Sequence, residues 1–375
     1  MAMRIPDFIG EPLAQWRDGL VASPRFRRLA ARFPLTRPVA RRQARRLFDL
    51  VAGFVYSQVL EACVRLRLFE LLEAGPRSAD EVAERVGLGG PAALRLLEAA
   101  VALDLVAKRS EGRFGLGPLG AAMLNNPGIT AMVEHHHLLY EDLADPLEVL
   151  RNGPGGTRLG RYWAYASAVP GDEIAPEEVA QYTALMSASQ SLIAEEVLDA
   201  YRFGRHRLML DIGGGDGTFV VAVAARVPGL ALELLDLPPV AAHARRRLEA
   251  AGLGSRVRVH AGSFLRDPLP RGADLATLVR VVHDHDDEAV ASLFAAARES
   301  LAPGGTLLIA EPMAGVTGTE AMAGAYFGLY LWAMGQGRAR TPDELRRMLA
   351  QAGFTEIRLL ETRVPLQTCV MVARC

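Results

Sequence analysis

The chain of 375 residues holds a single lysine, Lys108, although Lys and Arg together number 42. Arginine therefore carries the positive charge, and 43 acidic residues bring the formal net charge to −1. A chain so balanced has no bulk attraction to nucleic acid. Cysteine is scarce too: Cys63, Cys369 and Cys375 stand far apart with no C-x-x-C pair, which argues against a disulfide framework or a zinc site. Reduced thiols fit a cytoplasmic protein. Long uninterrupted apolar runs are missing as well. The start, M-A-M-R-I-P-D-F, lacks the apolar core of a signal peptide, and Leu47 to Leu72 is broken by Asp49, Glu61, Arg65, Arg67 and Glu70, so no membrane span is expected.

What is present falls into three parts, 1–46, 47–200 and 201–375. Residues 1–46 carry eleven arginines against Asp7, Glu11 and Asp18, an excess of +8, interleaved with Ile5, Phe8, Ile9, Leu13, Trp16, Leu20, Phe26, Leu29 and Phe33. Such an arm suits peripheral association with an anionic membrane surface, or equally a solvated tail or a strap over a partner subunit. From Leu47 to Leu60 only Asp49, Ser57 and Gln58 are polar, a helix apolar nearly all round that needs cover on more than one face. A second subunit is the natural cover, which makes a homodimer the expectation. Ser78-Ala79-Asp80-Glu81 is a capping box opening a helix that ends near Gly87. A second helix from Pro91 to about Leu103 and a small hairpin from Val106 to Leu116 complete the order of a winged helix. A DNA-binding regulator is the rival this raises, but Pro91 to Leu103 bears only Arg95 and Glu98 as charged residues, a composition for packing rather than groove reading. Further helices are expected over Ala131 to Arg151 and Pro176 to Tyr201.

Beyond Leu208 the pattern becomes α/β. Short apolar strands at Leu208 to Leu210, Leu230 to Leu235, Val257 to Ala261, Leu275 to Val282 and Thr306 to Ala310 alternate with helices, predicting a parallel sheet covered on both faces. A closing hairpin is expected from Glu356 to Leu360 and Thr368 to Ala373. The first strand runs into L-M-L-D-I-G-G-G-D-G-T-F, whose glycines let backbone approach a ligand at the start of the helix Thr218 to Arg226. Asp236, at the end of the next strand in E-L-L-D-L-P, suits the two hydroxyls of a ribose. A dinucleotide fingerprint G-x-G-x-x-G fails here, because counting from Gly213 its last position is Thr218. The spelling D-x-G-x-G-x-G resembles motif I of S-adenosylmethionine-dependent methyltransferases instead.

After the strand at 275–282 come His283-Asp284-His285-Asp286-Asp287-Glu288. The C-terminal edge of a parallel strand is where such a sheet places its chemistry, and His283 there is suited to general-base work. Asp286 or Asp287 is expected to cap the following helix. A metal reading of H-x-H-x-D lacks the further histidine a dinuclear site needs, Glu288 standing at that position, so no metal is expected. His135, His136 and His137 read as helix surface or domain interface.

The H-D-x-x-D-E string, the glycine loop, D-L-P at Asp236 and A-E-P at Glu311 resemble the metal-independent small-molecule O-methyltransferases, the plant caffeic acid and isoflavone type with bacterial relatives. The likeness spans nearly the whole chain. It implies a Rossmann-like seven-stranded S-adenosylmethionine-binding domain preceded by a mainly helical winged-helix dimerisation and substrate-shaping domain. It also implies roles: His283 as the base, Glu311 orienting its ring, Gly213 and Gly215 along the methionine part of the methyl donor, Asp236 on the ribose, Ser263 and Phe264 bordering the adenine. The chain departs from the pattern at His285, commonly tryptophan, at Ser263, commonly acidic or amide, and at Ala339 in R-A-R-T, where the plant type has a second glutamate.

Ala321 to Gly337 carries Met322, Tyr326 and Tyr330 at i+4 spacing, either a core stripe or the lining of an apolar acceptor pocket. This stretch and Leu47 to Leu72 look most like the carotenoid O-methyltransferases of purple phototrophic bacteria. That likeness implies an apolar small-molecule acceptor, the tertiary hydroxyl of an acyclic carotenoid such as hydroxyneurosporene or demethylspheroidene. Composition and spacing alone leave phenolic, polyketide and tetrapyrrole acceptors open.

Overall fold

The computed structural model describes residues 11–153, 156–167, 190 and 193–375. The expected apolar positions Ile5, Phe8 and Ile9 and most of the expected helix Pro176 to Tyr201 lie outside the described residues; 193–200 are helical. The chain divides into two compact units, Met1–Ala121 and Ala122–Cys375.

In the first unit, helices Glu11–Ala22 and Pro24–Arg32 bury none of their residues. The long helix Arg37–Arg65 follows, so the last basic residues and the apolar stretch beyond them share one helix. That helix stops where Arg67 turns left-handed at φ 51°, and the charges interrupting 47–72 are split between two helices. Taken alone, Arg37–Arg65 contains an 18-residue window long and apolar enough to cross a membrane by length and composition only, which leaves the expectation of no span uncontradicted. Leu50 and Phe54 on it are 81% and 72% exposed. The capping box is present: Ser78 Oγ accepts from Glu81 N at 3.2 Å, and the Glu81 carboxylate accepts from Ser78 N at 2.6 Å. Helix Ala79–Val86 ends at left-handed Gly87, helix Gly90–Ala102 follows, and β1 (Val106–Lys108) pairs antiparallel with β2 (Phe114–Leu116). Leu68, Phe69, Leu72, Val82, Leu97 and Phe114 are buried among these elements. This is the winged-helix order, with Leu97 of its second helix turned into the core.

The second unit opens with helices Pro127–Asp142, Pro146–Asn152 and Arg158–Ser167. Its sheet contains β3 (Leu208–Ile212), β4 (Ala231–Asp236), β5 (Val257–Ala261), β6 (Leu275–Val279), β7 (Thr306–Glu311), β8 (Thr355–Leu360) and β9 (Cys369–Arg374), in the order β5-β4-β3-β6-β7-β9-β8. Strands β3 to β7 are parallel, and β9 inserts antiparallel between β7 and β8. Period-2 alternation gives the central strands β3, β6 and β7 two buried faces. In β7 Leu308 and Ala310 face the core shared with Phe219, Val223 and Leu232, whereas Leu307 and Ile309 face Leu293, Phe294 and Leu349. The expected strand Leu275 to Val282 ends three residues early. Arg280 is left-handed at φ 57° and Val282–Asp284 forms a short 3-10 turn. Glu311 supplies the cause, since its Oε1 accepts the N–H of both Val281 and Val282 and bends them out of the ladder.

Candidate active site

The chain moves outward from β3 through β4 to β5, then returns to place β6 beside β3. The crevice beyond the C-terminal ends of β3 and β6 is the switch point where open α/β sheets bind ligands, and every candidate site residue follows one of these parallel strands. Gly213 N donates to Leu235 O at 2.8 Å, tying the glycine turn to β4. Gly213, Gly215 and Gly217 have φ of 70°, 59° and 82°, the region glycine tolerates best. Added side chains would fare differently. A Cβ on Gly214 would lie 2.7 Å from Asp211 Oδ2 and one on Gly213 2.8 Å from Val281, but one on Gly215 meets no heavy atom within 4 Å. Gly215 therefore offers bare backbone to open space. Its N–H donates to Asp236 Oδ2 at 2.8 Å, and Leu237 N donates to Oδ1 at 2.7 Å. Burial lifts the Asp236 carboxyl to about 6 against the pull of those two donors. A carboxylate has about four acceptor positions, so two hydroxyls can still be accommodated. This is the observation on which a ribose fits.

Beneath the turn, Asp211 Oδ1 accepts from Thr277 Oγ1 at 2.6 Å, and burial pushes its carboxyl up to about 7. Asp216 accepts from Thr218 N and Oγ1 and pairs with Arg247, pinning the loop to helix Pro238–Ala250. Past β5, Ser263 N donates to Asp267 Oδ2 at 2.7 Å and sets a turn. Phe264 stands edge-on to His285 at 5.3 Å and 3.4 Å from the Cβ position of Gly213. Gly213, Gly215, Asp236 and Phe264 thus converge, while Ser263 joins them through its backbone turn.

His283 is 4% and Glu311 2% exposed. The Glu311 Oε2 pairs with His283 Nδ1, which favours the tautomer with the proton on Nδ1 and makes Nε2, the nitrogen facing Asp284, the one that gains or loses a proton. Asp284 Oδ1 lies 3.2 Å from Nε2. Burial by itself would depress the imidazole, but the Asp284 and Glu311 carboxylates outweigh it and His283 titrates above its ordinary value. Asp284 moves up as well, through burial first and repulsion from Glu311. His285 diverges toward Phe264, and burial lowers it.

Two residues to which the sequence assigned no such role, Arg340 and Gly337, hold this turn. Buried Arg340 donates to Val282 O at 2.9 Å and His285 O at 2.8 Å, and pairs with Asp287. Gly337 is packed so closely that a Cβ would lie 2.2 Å from His283 O. Asp286, as expected, caps helix Asp287–Ser300 by accepting from Ala289 N at 2.8 Å. The R-A-R-T string points by itself only to Ala339; Arg340 is buried while its neighbours Arg338, Ala339 and Thr341 are half-buried, and its spacing gives no sign of this. Beside the base, Phe327 presents its ring edge-on to His283 at 5.7 Å. Phe327 sits where the π-helical stretch Glu320–Tyr326 gives way to helix Phe327–Met334. His135 and His136, expected as helix surface or domain interface, are half-buried against this segment and bonded to Tyr330 and Tyr326, contacts between residues 47–200 and 201–375. A cleft of about 600 Å³ lies elsewhere, by the starts of β3 and β4, and its Arg245, Arg256 and Arg258 are already paired.

A glycine turn, a buried carboxylate with acceptor positions to spare and a carboxylate-held imidazole at one sheet edge suit a group-transfer enzyme of the α/β class. Residues 140–355 match the family model of an O-methyltransferase domain, and residues 48–126 that of an O-methyltransferase dimerisation domain. The chain belongs to the S-adenosylmethionine-dependent O-methyltransferase family. It is 42% identical to a demethylspheroidene O-methyltransferase of Cereibacter sphaeroides, over 96% of this chain and 94% of that one. To the demethylspheroidene O-methyltransferase of Rhodobacter capsulatus it is 39% identical, over 94% and 88%. Among solved structures it resembles the S-adenosylmethionine-dependent methyltransferase SibL, with TM-score 0.72 and 28% identity, covering 88% of this chain and 98% of that one.

Proposed function

We propose that this enzyme methylates the hydroxyl of an apolar acyclic hydroxycarotenoid of the demethylspheroidene or hydroxyneurosporene kind, with His283 as general base. The observation that carries the reading is the His283 imidazole held by Glu311 through Nδ1, leaving Nε2 to take a proton, with the Gly213 to Asp236 turn beside it on the same sheet edge. The acceptor class is supported by the two relatives whose names specify demethylspheroidene. S-adenosylmethionine, when bound, supplies an electrophilic methyl group on a sulfonium. Gly213 and Gly215 would border its methionine part, Asp236 would accept from its ribose hydroxyls, and Ser263 and Phe264 would flank its adenine. His283 removes the acceptor proton as the oxygen attacks, because a protonated alcohol is a poor nucleophile. Glu311 orients the imidazole and stabilises the imidazolium formed. Asp284 supplies the second carboxylate beside the ring that Ala339 cannot.

The exposed apolar face of helix Arg37–Arg65, within the dimerisation match, is covered by a second copy of the chain. The basic arm 1–46 holds the enzyme peripherally at the bilayer in which such an acceptor dissolves. Incubation with labelled methyl donor and separate carotenoid, phenolic, polyketide and tetrapyrrole acceptors tests the substrate. Labelling of a phenol or tetrapyrrole in preference to the hydroxycarotenoid would refute it. His283→Ala should keep donor affinity while turnover falls on the order of a hundredfold or more; turnover within about tenfold of the parent, about 1.4 kcal/mol, would remove His283 from the role.

A further inference from the structure

Helix Pro127–Asp142 carries E-H-H-H, and its first two histidines leave the helix on adjacent sides, about 100° apart. Each meets a tyrosine from the segment beside the base. His136 Nε2 lies 2.8 Å from the Tyr326 hydroxyl, and His135 Nε2 2.9 Å from the Tyr330 hydroxyl. The two tyrosine rings face one another at 5.6 Å between centroids, and Phe327 lies 5.1 Å from Tyr326 and 6.4 Å from Tyr330. Phe327 in turn touches His283. An unbroken file of rings therefore leads away from the base. Burial lowers both imidazoles, His135 to about 4 with a smaller contribution from the imidazoles beside it on the helix, so the pairs are neutral at physiological pH. A buried hydroxyl or ring nitrogen that already has its partner presents carbon to whatever lies alongside; an unpaired one demands a polar group there.

We propose that the Tyr326–His136 and Tyr330–His135 pairs are the acceptor-selecting wall of the active site: in each pair the hydroxyl and the ring nitrogen facing it satisfy one another, so that the acceptor next to its reacting hydroxyl meets ring faces and edges. The wall accepts an unsubstituted hydrocarbon chain and excludes an acceptor with a second polar group near the first. This assignment rests on the apolar-acceptor reading above and makes four residues specificity determinants. They bind; they transfer no proton to the acceptor.

The experiment uses the full-length enzyme and two acceptors, an acyclic polyene tertiary alcohol in micelles and its analogue with an added hydroxyl two carbons away. The parent should prefer the plain alcohol on the order of tenfold in kcat/KM, the discrimination expected from one polar group buried without a partner. Tyr326→Phe strands the His136 nitrogen and His136→Phe strands the Tyr326 hydroxyl. Each single change should raise KM for the plain alcohol more than it lowers kcat and narrow the preference. Tyr326→Phe with His136→Phe together removes the hydroxyl along with the ring nitrogen it pairs with and should bring KM back toward the parent value. Unchanged KM in the single variants, a double variant worse than either, or loss confined to kcat would overturn the assignment. Where a single variant does not fold, the parent's own preference decides, and a ratio below about twofold refutes the wall. If the parent methylates only a small phenol, the substrate reading falls by itself. The pairs are then judged on that phenol by whether the double variant rescues KM.

Discussion

Two neighbouring glycines in the turn after β3 are needed for opposite reasons. Gly214 has no room, a Cβ there lying 2.7 Å from Asp211 Oδ2 and 2.8 Å from Leu234, whereas Gly215 has room but a left-handed backbone. Gly214→Ala should therefore act on the fold, costing about 1–3 kcal/mol as neighbours are pushed aside. Gly215→Ala should cost only the left-handed penalty of about 1–2 kcal/mol, yet weaken the donor markedly, since its methyl group would stand where backbone was bare. Thermal melts with and without donor, beside calorimetric affinity, separate the two, and undiminished donor affinity in Gly215→Ala would dissociate this turn from binding. At the base, the sign of the pH dependence follows from the carboxylates. His283 must be neutral to accept a proton, and Asp284 and Glu311 hold it above its ordinary value. The acid limb of kcat/KM should accordingly have its midpoint above about 6.5, with activity rising as pH climbs through it. Asp284→Asn removes part of that hold and should move the midpoint to lower pH. A midpoint unmoved or raised would mean that Asp284 does not act on His283.

Among elements, the boundary of β6 shows what a local pattern can and cannot reveal. The strands and the helix Thr218–Arg226 were legible because alternation, glycine turns and caps are local signals, and the capping box at Ser78 and the cap at Asp286 appear as read. The end of β6 was not. L-A-T-L-V-R-V-V reads as one strand interrupted only by Thr277 and Arg280, and it is Glu311, about thirty residues on, that takes the two N–H groups and turns Val281 and Val282 aside. Arg340 escaped notice for the same reason, since the groups it holds are main-chain carbonyls that no side-chain pattern advertises. The stripe at Met322, Tyr326 and Tyr330 was visible, but its histidine partners lie about 190 residues away. The same logic gives the brace at Gly337 a consequence. Gly337→Ala must displace the His283 carbonyl, 2.2 Å from the new Cβ, and a shift of about 1 Å at a catalytic group costs on the order of a hundredfold. Turnover should fall about ten- to a hundredfold while donor affinity stays within about twofold. Loss of donor affinity instead would show that the brace serves the glycine turn rather than the base.

For the molecule as a whole, the arm and the exposed face of helix Arg37–Arg65 are linked through subunit number. Leu47, Phe48, Leu50, Val51 and Phe54 form an exposed apolar run far larger than scattered surface hydrophobics require. Leu50→Asp with Phe54→Asp should convert a dimer into a monomer in light scattering, at little cost to the fold, since neither side chain is buried within the chain. Each copy also brings a net charge of +8 on residues 1–46. Basic residues near an anionic leaflet contribute about 1 kcal/mol each, screened beyond about 10 Å at 0.1 M salt. A dimer presents two such arms, and the second engages at the effective concentration set by the first. Binding to vesicles containing anionic phospholipid should therefore be strong for the dimer, weaken by tenfold or more in the Leu50→Asp, Phe54→Asp monomer, and vanish for both when residues 1–46 are removed or salt reaches 0.5 M. Neutral vesicles should retain neither form. If the monomer bound as tightly as the dimer, avidity would be absent and one arm would suffice. If the truncated dimer still bound, the apolar face rather than the arm would be meeting the membrane, and the cover proposed for that face would be wrong.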